Sequence, residues 1–343
     1  MMPRITLKYL AAELGTHPSI ISRVIRNVPD ARVSEAKRQR ILALVRATGY
    51  RPHHAGRSLR NRSTQILALI VPDVANPFYA RLFRSVENTA RMHGYNVILC
   101  NTDEDGDRFR DLIETLGAGH VDGWLVASAG GVDGTVPLLD NSGIPYVLLN
   151  RRSKAPHVPW VGPDDFATGK KGATHLLDLG HRRIAYVTAH LTIESMRQRF
   201  NGFRRAMAHR GISVRDELLV VGYLDQAIVR ARTRAILRLP ARRRPTAVFV
   251  SNSLSLDSVL DCIREEGMHV PKDISVVGYN PFDEARVTGV LVPVVEIGRI
   301  ATDWLIAATG ESATAQTIRV TLPVGFVDRG TTLPPRPSAG SSN

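Results

Sequence analysis

Four polar and basic side chains near the start of the chain have the spacing of one helix face. They are Ser19, Ser22, Arg23 and Arg26. Residues three or four positions apart are neighbours on a helix surface, and Ile21, Val24 and Ile25 form the opposite, apolar stripe. Serine and arginine can hydrogen-bond phosphates and base edges of DNA. The pattern therefore indicates a surface that binds a polyanion.

The positive charge of the chain is concentrated in the same region. Residues 1–62 contain 13 Lys and Arg against three acidic residues, a net charge of +10, whereas the remaining 281 residues contain 32 against 29, or +3. Such asymmetry is typical of a small polyanion-binding domain attached to a nearly neutral one. From charge alone, a three-helix bundle with a solvated basic face remains an alternative.

Three short helices are predicted to position this face. The hydroxyl of Thr6 can cap the first helix, Gly15 suits a left-handed turn, and Pro18 suits the first position of the second helix. A third helix is predicted to be capped by Ser34 and to end at Gly49. Two helices across a tight turn are the helix-turn-helix arrangement, whose second helix enters the major groove of DNA.

A second basic segment, residues 50–62, follows directly. It is too short to be a stable helix alone, and Gly56 disfavours a helix further, so we expect it to become ordered only when paired on DNA. Leu59, with Arg57 and Arg60 beside it, could act as a wedge between base steps of the minor groove. The alternative is an incidental leucine in a basic linker.

The rest of the chain alternates short runs rich in Val, Ile and Leu with helical stretches. Such runs are typical of parallel strands that are buried on both faces. A first series begins at Gln65 and a second near Pro163. The fold class predicted for this part is α/β, with two doubly wound lobes and a ligand cleft at the carboxyl ends of the strands.

Aromatic and polar side chains follow several of these predicted strands. Phe78 and Tyr79 could stack on a flat ligand or could simply pack at the start of a helix. Arg199 could bind a diol or a carboxylate with its guanidinium, the alternative being a surface salt bridge. Asn252 and Asn280 each come after a later strand and are further cleft candidates.

Several chemistries find no matching pattern in the sequence. There is no glycine-rich phosphate loop, no His-Glu-x-x-His motif, no Gly-x-Ser-x-Gly elbow and no Cys/His cluster with zinc spacing. We therefore expect no enzymatic activity, no cofactor and no metal. Cys100 and Cys262 are predicted to be buried thiols. Without an apolar leader or an 18-residue apolar run, the protein is expected to be cytoplasmic and not membrane-bound.

The order of these motifs resembles the lactose/galactose repressor (LacI/GalR) family from about Ile5 to Thr332. The most specific shared segments are residues 22–25, 50–52, 57–59, 76–79, 121–123, 180–185 and 271–279. The resemblance implies an N-terminal all-α helix-turn-helix head with a hinge helix. It further implies two parallel-sheet lobes that resemble a type I periplasmic-binding-protein fold.

The resemblance also implies domain boundaries. The expected segments are the head at 1–50, the hinge helix and linker at 51–63, an N-terminal lobe at 64–161 plus 292–321, and a C-terminal lobe at 162–291 plus 322–332. Residues 333–343 are predicted to be a disordered tail. Because no leucine heptad follows residue 321, a homodimer is expected and not a tetramer.

Roles on DNA are carried over by motif position. Pro18, Ser19 and Arg23 match positions that read the major groove, although Pro18 has no backbone N–H to offer. Leu59 matches the leucine that intercalates from the hinge. The DNA-binding residues implied in this way are Thr6, His17, Pro18, Ser19, Ser22, Arg23, Arg26, Arg57, Leu59 and Arg60.

The resemblance implies a set of effector-binding residues as well. The family usually has aspartate at the positions of Asn280 and Ser253. The loss of two carboxylates near two arginines predicts that the cleft tolerates an anionic effector, such as a sugar acid or a phosphate. The implied effector-binding residues are Phe78, Tyr79, Arg151, Arg199, Asn252 and Asn280.

Taken together, the sequence predicts a homodimeric, sequence-specific transcription regulator, and a repressor rather than an activator. It would bind a pseudo-palindromic operator on double-stranded DNA under the control of a small-molecule effector, a sugar, a sugar acid or a related metabolite. One alternative is a sugar-binding receptor with the same body, which leaves the basic head unexplained. The other is an enzyme or a DNA-packaging protein, and the latter would not prefer one palindrome.

Overall fold

The structure, a computed structural model, describes residues 5–25, 33–50, 63–127, 132–222, 225–281, 286–310 and 316–336. The chain forms two separate units, residues 1–64 and residues 65–343, which we call the head and the body. Four residues with predicted roles on DNA lie outside the described residues, as does nearly all of the predicted hinge at 51–63. They are Arg26, Arg57, Leu59 and Arg60.

The described residues of the head form three helices whose ends follow from local sequence. They are α1 (Leu7–Glu13), α2 (Pro18–Ile25) and α3 (Glu35–Thr48). The Thr6 hydroxyl accepts a hydrogen bond from the Tyr9 N–H at 3.2 Å, which caps α1. Gly15 and Gly49 have φ of +54° and +62°, a region that glycine enters without steric cost. Ser34 precedes α3, but its side chain makes no capping bond, so the predicted serine cap of this helix was wrong.

A small apolar core holds these helices together. Its residues come from all three helices, with Tyr50 added from the chain that follows α3. The buried positions repeat at helical spacing, as the sequence predicts. The buried core residues are Leu10, Ala11, Ile21, Val24, Ile41 and Tyr50.

The body consists of alternating strands and helices. The strands are β1 (Ile66–Val71), β2 (Asn96–Asn101), β3 (Gly123–Val126), β4 (Tyr146–Leu149), β5 (Trp160–Pro163), β6 (Ile184–Thr188), β7 (Leu219–Val221), β8 (Ala247–Val250), β9 (Ser275–Tyr279), β10 (Gly289–Leu291), β11 (Arg319–Leu322) and β12 (Gly325–Val327). The helices are α4 (Pro77–Met92), α5 (Gly106–Gly117), α6 (Val132–Ser142), α7 (Asp165–Asp178), α8 (Glu194–His209), α9 (Gln226–Leu237), α10 (Leu256–Glu265) and α11 (Val294–Ala308), with a 3₁₀ turn at Asp216–Leu218.

These strands form two six-stranded sheets, one in each lobe. The orders are β11-β5-β4-β3-β1-β2 and β12-β10-β9-β8-β6-β7. The pairings are parallel except that β12 runs antiparallel to β10. Alternate residues of β1 enter different cores, Leu67 and Leu69 on one face and Ala68 and Ile70 on the other. This burial on both faces explains the uninterrupted apolar runs and confirms the predicted α/β fold class.

The chain crosses between the lobes slightly later than the sequence predicts. Strands β5 and β11 pair over their full lengths, from Trp160 with Arg319 to Pro163 with Leu322. Boundaries after residues 161 and 321 would therefore cut through two paired strands. The crossings instead follow Pro163 and Leu322, because every residue of a paired strand belongs to its sheet.

The start predicted for the disordered tail, residue 333, is too early. The Leu333 N–H donates to Ser275 Oγ at 3.0 Å, and the Leu333 carbonyl accepts from His181 Nε2 at 2.9 Å. Farther on, Arg336 pairs with Asp273 at 3.2 Å. Buried His181 and Ser275 need hydrogen-bond partners, and the Leu333 backbone supplies them. Residues 337–343 lie outside the described residues.

Three further observations concern the described part of the chain. None of its helices has the length and apolar character needed to cross a bilayer. Among the same residues, no group of three or more His, Cys, Asp or Glu side chains could hold a metal ion. Cys100 and Cys262 are free and buried, in agreement with the sequence analysis.

Candidate functional site

A small cavity in the body lies where strand ends of both lobes meet. The first lobe contributes Asn76, Phe78, Tyr79, Asn150 and Arg151. The second lobe contributes Ser195, Met196, Arg199, Asn252, Ser253, Leu254 and Tyr279. Five of the six predicted effector-binding residues are therefore brought together.

The start of α4 places two aromatic rings against this cavity. Asn76 caps the helix, since its Oδ1 accepts from the Phe78 N–H at 3.0 Å, and Pro77 occupies the first helical position. The Phe78 and Tyr79 rings are nearly buried and pack edge to face with centroids 5.1 Å apart. Both residues also belong to the core of the first lobe. Both rings therefore line the cavity and at the same time pack in the core of the first lobe.

Arg199 extends from α8 and is held on three sides. Its Nε donates to Asp165 Oδ1 at 2.7 Å, its Nη1 to the Ser251 carbonyl at 2.8 Å, and its Nη2 to the Tyr279 hydroxyl at 2.8 Å. The guanidinium carbon also lies 3.6 Å from the centroid of the Tyr279 ring. The side chain is therefore fixed by the protein before any ligand binds.

Burial and neighbouring charged groups together set the ionisation of the Arg199–Asp165 pair. Burial lowers the pKa of Arg199, but Tyr279 and Asp165 raise it, and the net direction is upward. Burial raises the pKa of Asp165, whereas the Arg199 guanidinium opposes that shift. Arg199 is consequently charged, and the carboxylate of Asp165 is the group that compensates its charge.

Arg151 has a carboxylate partner of its own. Its Nη1 and Nη2 donate to the two carboxylate oxygens of Glu104, at 2.8 Å and 2.5 Å. The side chains are only 8% and 13% exposed, so the bidentate pair is shielded from water. Both cavity arginines are thus neutralised within the body. The prediction of an anionic effector rested on missing negative charge near these two arginines. Asp165 and Glu104 supply negative charge there, which the argument from Asn280 and Ser253 did not include.

Asn280 is not among the cavity-lining residues. Its Oδ1 accepts from the Val292 N–H at 3.2 Å, beside the crossing from β10 to α11. The residue adopts φ of +45° and is buried. The preceding residue, Tyr279, lines the cavity instead. Asn280 therefore lies at a crossing between the lobes and not in the cavity where its effector-binding role was predicted.

Three cavity-lining side chains carry buried polar atoms with no hydrogen-bond partner among the described residues. They are Asn150 Oδ1, Ser195 Oγ and Asn252 Nδ2. Asn252 Oδ1 accepts from the Ser255 N–H at 2.9 Å, which leaves its Nδ2 as the free group. An unsatisfied buried polar group costs about 1–3 kcal/mol. The cavity therefore offers an acceptor, a hydroxyl and a donor to a bound molecule.

The sequence analysis missed Asn150 and Ser195. Asn150 directly follows β4, much as Asn252 follows β8, and this position after a strand was the available signal. Asn150 also adopts φ of +63°, which is uncommon for a residue other than glycine. Ser195 lies in the first turn of α8, whose start the sequence does not define sharply.

The head presents a separate polar surface. Ser19 and Arg23 are exposed on the face of α2 opposite buried Ile21 and Val24, and His17, which is also exposed, directly precedes the helix. Pro18 and Ser22 are partly exposed, and Thr6 caps α1. The described members of the predicted DNA-binding set thus lie on the head, and two of them, Ser19 and Arg23, share an exposed helix face.

Known proteins match the chain over most of its length. Residues 173–332 match the family described as the periplasmic binding protein-like domain. The HTH-type transcriptional repressor PurR of Mannheimia succiniciproducens is 30% identical over 282 residues, which cover 82% of this chain and 83% of that protein. The chain belongs to the LacI/GalR family of transcriptional regulators.

Solved structures of similar proteins agree with this LacI/GalR membership. The complex of the transcriptional regulator CelR with cellobiose is 28% identical, with a TM-score of 0.71, over 96% of this chain and 100% of that one. A LacI family regulator of Enterococcus faecium with bound ribose is 27% identical, with a TM-score of 0.69, over 78% of this chain and 99% of that one. The predicted function as a transcription regulator is confirmed.

Proposed function

We propose that this LacI/GalR regulator is a repressor whose affinity for its operator is controlled by a neutral, hydroxyl-rich sugar bound in the body cavity. One observation carries the effector part of this proposal. Asn150, Ser195 and Asn252 present unpaired hydrogen-bonding groups to a cavity whose two arginines already have carboxylate partners.

A neutral sugar suits this chemistry better than an anion. Sugar hydroxyls both donate and accept, so they can pair with the Asn150 acceptor and the Asn252 donor at once. A carboxylate or phosphate would have to compete with Asp165 and Glu104 for Arg199 and Arg151. Bound cellobiose and ribose in the two similar regulators support a sugar as the ligand class.

A homodimer on DNA is the second part of the proposal. Strand β2 is at the edge of the first sheet, and it carries exposed Ile98. Exposed Val74 lies beside the end of this strand, where its N–H donates to Asn101 Oδ1 at 2.8 Å. An exposed apolar sheet edge is usually covered in a stable protein. A second copy covering it would bring two heads to the half-sites of a pseudo-palindrome in the cytoplasm.

The dimer has a direct test in sedimentation at micromolar concentration. The wild-type chain is expected to sediment as a dimer and an Ile98→Glu variant as a monomer, since a buried unpaired charge opposes association. A wild-type monomer, or an unchanged variant dimer, would contradict the proposed interface.

Thermal unfolding of the full chain tests the effector. The panel pairs neutral mono- and disaccharides with the corresponding sugar acids and sugar phosphates. A bound ligand at 100 times its dissociation constant stabilises the folded chain by about 2.7 kcal/mol, which moves the unfolding midpoint visibly. We expect a neutral sugar to give this shift and also to change operator affinity.

Two variants and a control locate the binding. Ser195→Ala and Asn252→Ala should abolish most of the shift, whereas Asn88→Ala, which alters an exposed amide on α4, should keep it. A response to acids or phosphates alone would overturn the neutral-sugar proposal. A sugar that shifts unfolding without changing operator affinity would overturn its regulatory role.

A further inference from the structure

The first two polar side chains at the start of α2 are bonded to each other. The Ser19 hydroxyl lies 2.8 Å from Nδ1 of His17. The Ser19 backbone N–H donates to the same nitrogen at 3.3 Å. Both side chains are exposed on the head, so the pair is available to a ligand while it is formed.

The direction of these two hydrogen bonds follows from elementary valence. A backbone N–H can only donate, so Nδ1 of His17 is an acceptor and carries no proton. The Ser19 hydroxyl, facing that same acceptor, must donate its single proton to it. The Ser19 oxygen retains two lone pairs and can only accept from a third group.

The position of Ser19 makes this polarity relevant to DNA. Ser19 and Arg23 are four residues apart on α2 and both are exposed, while Ile21 and Val24 on the opposite face are buried in the head core. Residues four apart lie side by side on a helix. A duplex lying along this face would meet an acceptor at Ser19 and a set of donors at Arg23.

We propose that Ser19 reads an exocyclic amino group in the major groove, N4 of cytosine or N6 of adenine, and that His17 is the positioning residue that enforces this choice. The inference rests on the proposed operator binding. On the contacted strand, guanine offers only O6 and N7 and thymine only O4, all of which are acceptors. An acceptor at Ser19 disfavours both. His17 thus converts a hydroxyl, which by itself pairs with any base, into a selective reader.

The test begins with selection of binding sites by the full chain from random duplex DNA, followed by comparison of wild type with Ser19→Ala. We expect one base pair in each half-site to lose its preference in the variant, with affinity falling about 5-fold there, as for one lost hydrogen bond. Ser34→Ala is the matched control, because the Ser34 side chain makes no capping bond and lies at a different helix.

Modified bases then identify the contacted atom. Cytosine is replaced at that pair by pyrimidin-2-one, or adenine by purine, so that only the amino group is removed. The loss of DNA affinity caused by Ser19→Ala should then be less than about 2-fold, because the same hydrogen bond has already been removed from the DNA side. On a site with 7-deazapurine, which lacks the N7 acceptor, Ser19→Ala should still weaken binding about 5-fold.

The His17 variants test the positioning role. His17→Ala frees the Ser19 proton, so the hydroxyl can donate as well as accept, and the preference at this one base pair should fall while the others remain. His17→Asn retains a side-chain acceptor at this position and should retain the preference.

The outcomes separate the two proposals. If selection yields no preferred sequence, the proposed operator binding fails, and this inference with it. If a site is found but the Ser19→Ala effect disappears with 7-deazapurine, or no base pair responds to Ser19→Ala, the amino-group proposal alone is overturned. An unchanged preference in His17→Ala would overturn the role of His17.

Discussion

The Nε–H of Arg199 donates to Oδ1 of Asp165 over 2.7 Å, and the two side chains are only 1% and 10% exposed. This bond joins α8 to the first turn of α7, the two helices that carry much of the second lobe. The pair therefore serves the cavity and the fold at once. It fixes the guanidinium beside the ligand space and compensates its charge.

Removal of that compensating charge should destabilise the body. Asp165→Asn keeps the shape of the side chain but leaves Arg199 as an uncompensated buried cation. Breaking one partner of a buried ion pair typically costs about 3–5 kcal/mol. Urea unfolding of the full chain, followed by far-UV circular dichroism, should show that the free energy of unfolding falls. The decrease should be at the lower end of that range, because Asn still accepts a hydrogen bond.

The surface pair Arg210–Asp178 supplies the control for this prediction. Both of its side chains are about half exposed, so Asp178→Asn should change the free energy of unfolding by less than about 1 kcal/mol. Equal losses in the two variants would show that burial of the Asp165 pair has no special energetic role.

The contact between α7 and α8 depends on glycine. A Cβ added at Gly169 would lie 1.7 Å from the Arg199 carbonyl oxygen, a backbone atom that cannot rotate away. Gly169→Ala should therefore force the helices apart, lowering the free energy of unfolding by about 1–3 kcal/mol and weakening sugar binding. Calorimetry with and without the sugar measures both effects.

Gly134→Ala is the matched substitution, and it is expected to change the free energy of unfolding in the opposite direction. Gly134 is exposed in α6, and a Cβ there meets nothing within 4 Å. Replacing a helical glycine by alanine under these conditions stabilises by up to about 1 kcal/mol. Destabilisation by both variants would mean that the close approach at Gly169 is not the cause.

A buried histidine predicts how body stability depends on pH. Burial lowers the pKa of His181, whose ring is bonded to Thr246, Ser275 and the Leu333 carbonyl. Below the ordinary pKa of about 6.5, the unfolded chain binds a proton that the folded chain resists. Stability is therefore fully present above pH 6.5 and falls as pH decreases below it.

Substitution of His181 should flatten this pH dependence. In His181→Gln the unfolding midpoint should be lower than in wild type at pH 7.5, but it should change less between pH 7.5 and 5. The exposed His120, replaced in the same way, should leave the wild-type slope unchanged. Parallel curves for wild type and His181→Gln would contradict the assignment.

The cap of α1 gives a prediction for the head. Thr6→Ala removes the acceptor of the Tyr9 N–H and should destabilise α1 by about 1 kcal/mol. Amide hydrogen exchange on the full chain should show about 5-fold faster opening in α1. Ser34→Ala at α3 should show little change, since no capping bond exists there to lose. Similar acceleration in both helices would show that the Thr6 bond is not responsible.

The sequence by itself determined the local structure and the family. Thr6, Gly15 and Pro18 defined the ends of the head helices, because capping, left-handed turns and the proline ring act within a few residues. The apolar runs of the body predicted two parallel sheets, because strands covered on both faces need apolar side chains at every position. Positions beyond the predicted strands, with Arg199 and Asn252 among them, predicted five of the cavity-lining residues.

Only the tertiary structure decided which groups pair and which remain free. Asp165 is 34 residues from Arg199, Glu104 is 47 from Arg151, and Leu333 is 152 from His181. Charge compensation depends on distance in space, and no local rule connects residues so far apart in the chain. The start of the tail predicted at Leu333 was wrong for this reason, and the anionic effector predicted from Asn280 did not take into account the carboxylates that pair with the two arginines. Pairing across the fold supplied carboxylates at the arginines and fixed the backbone of Leu333.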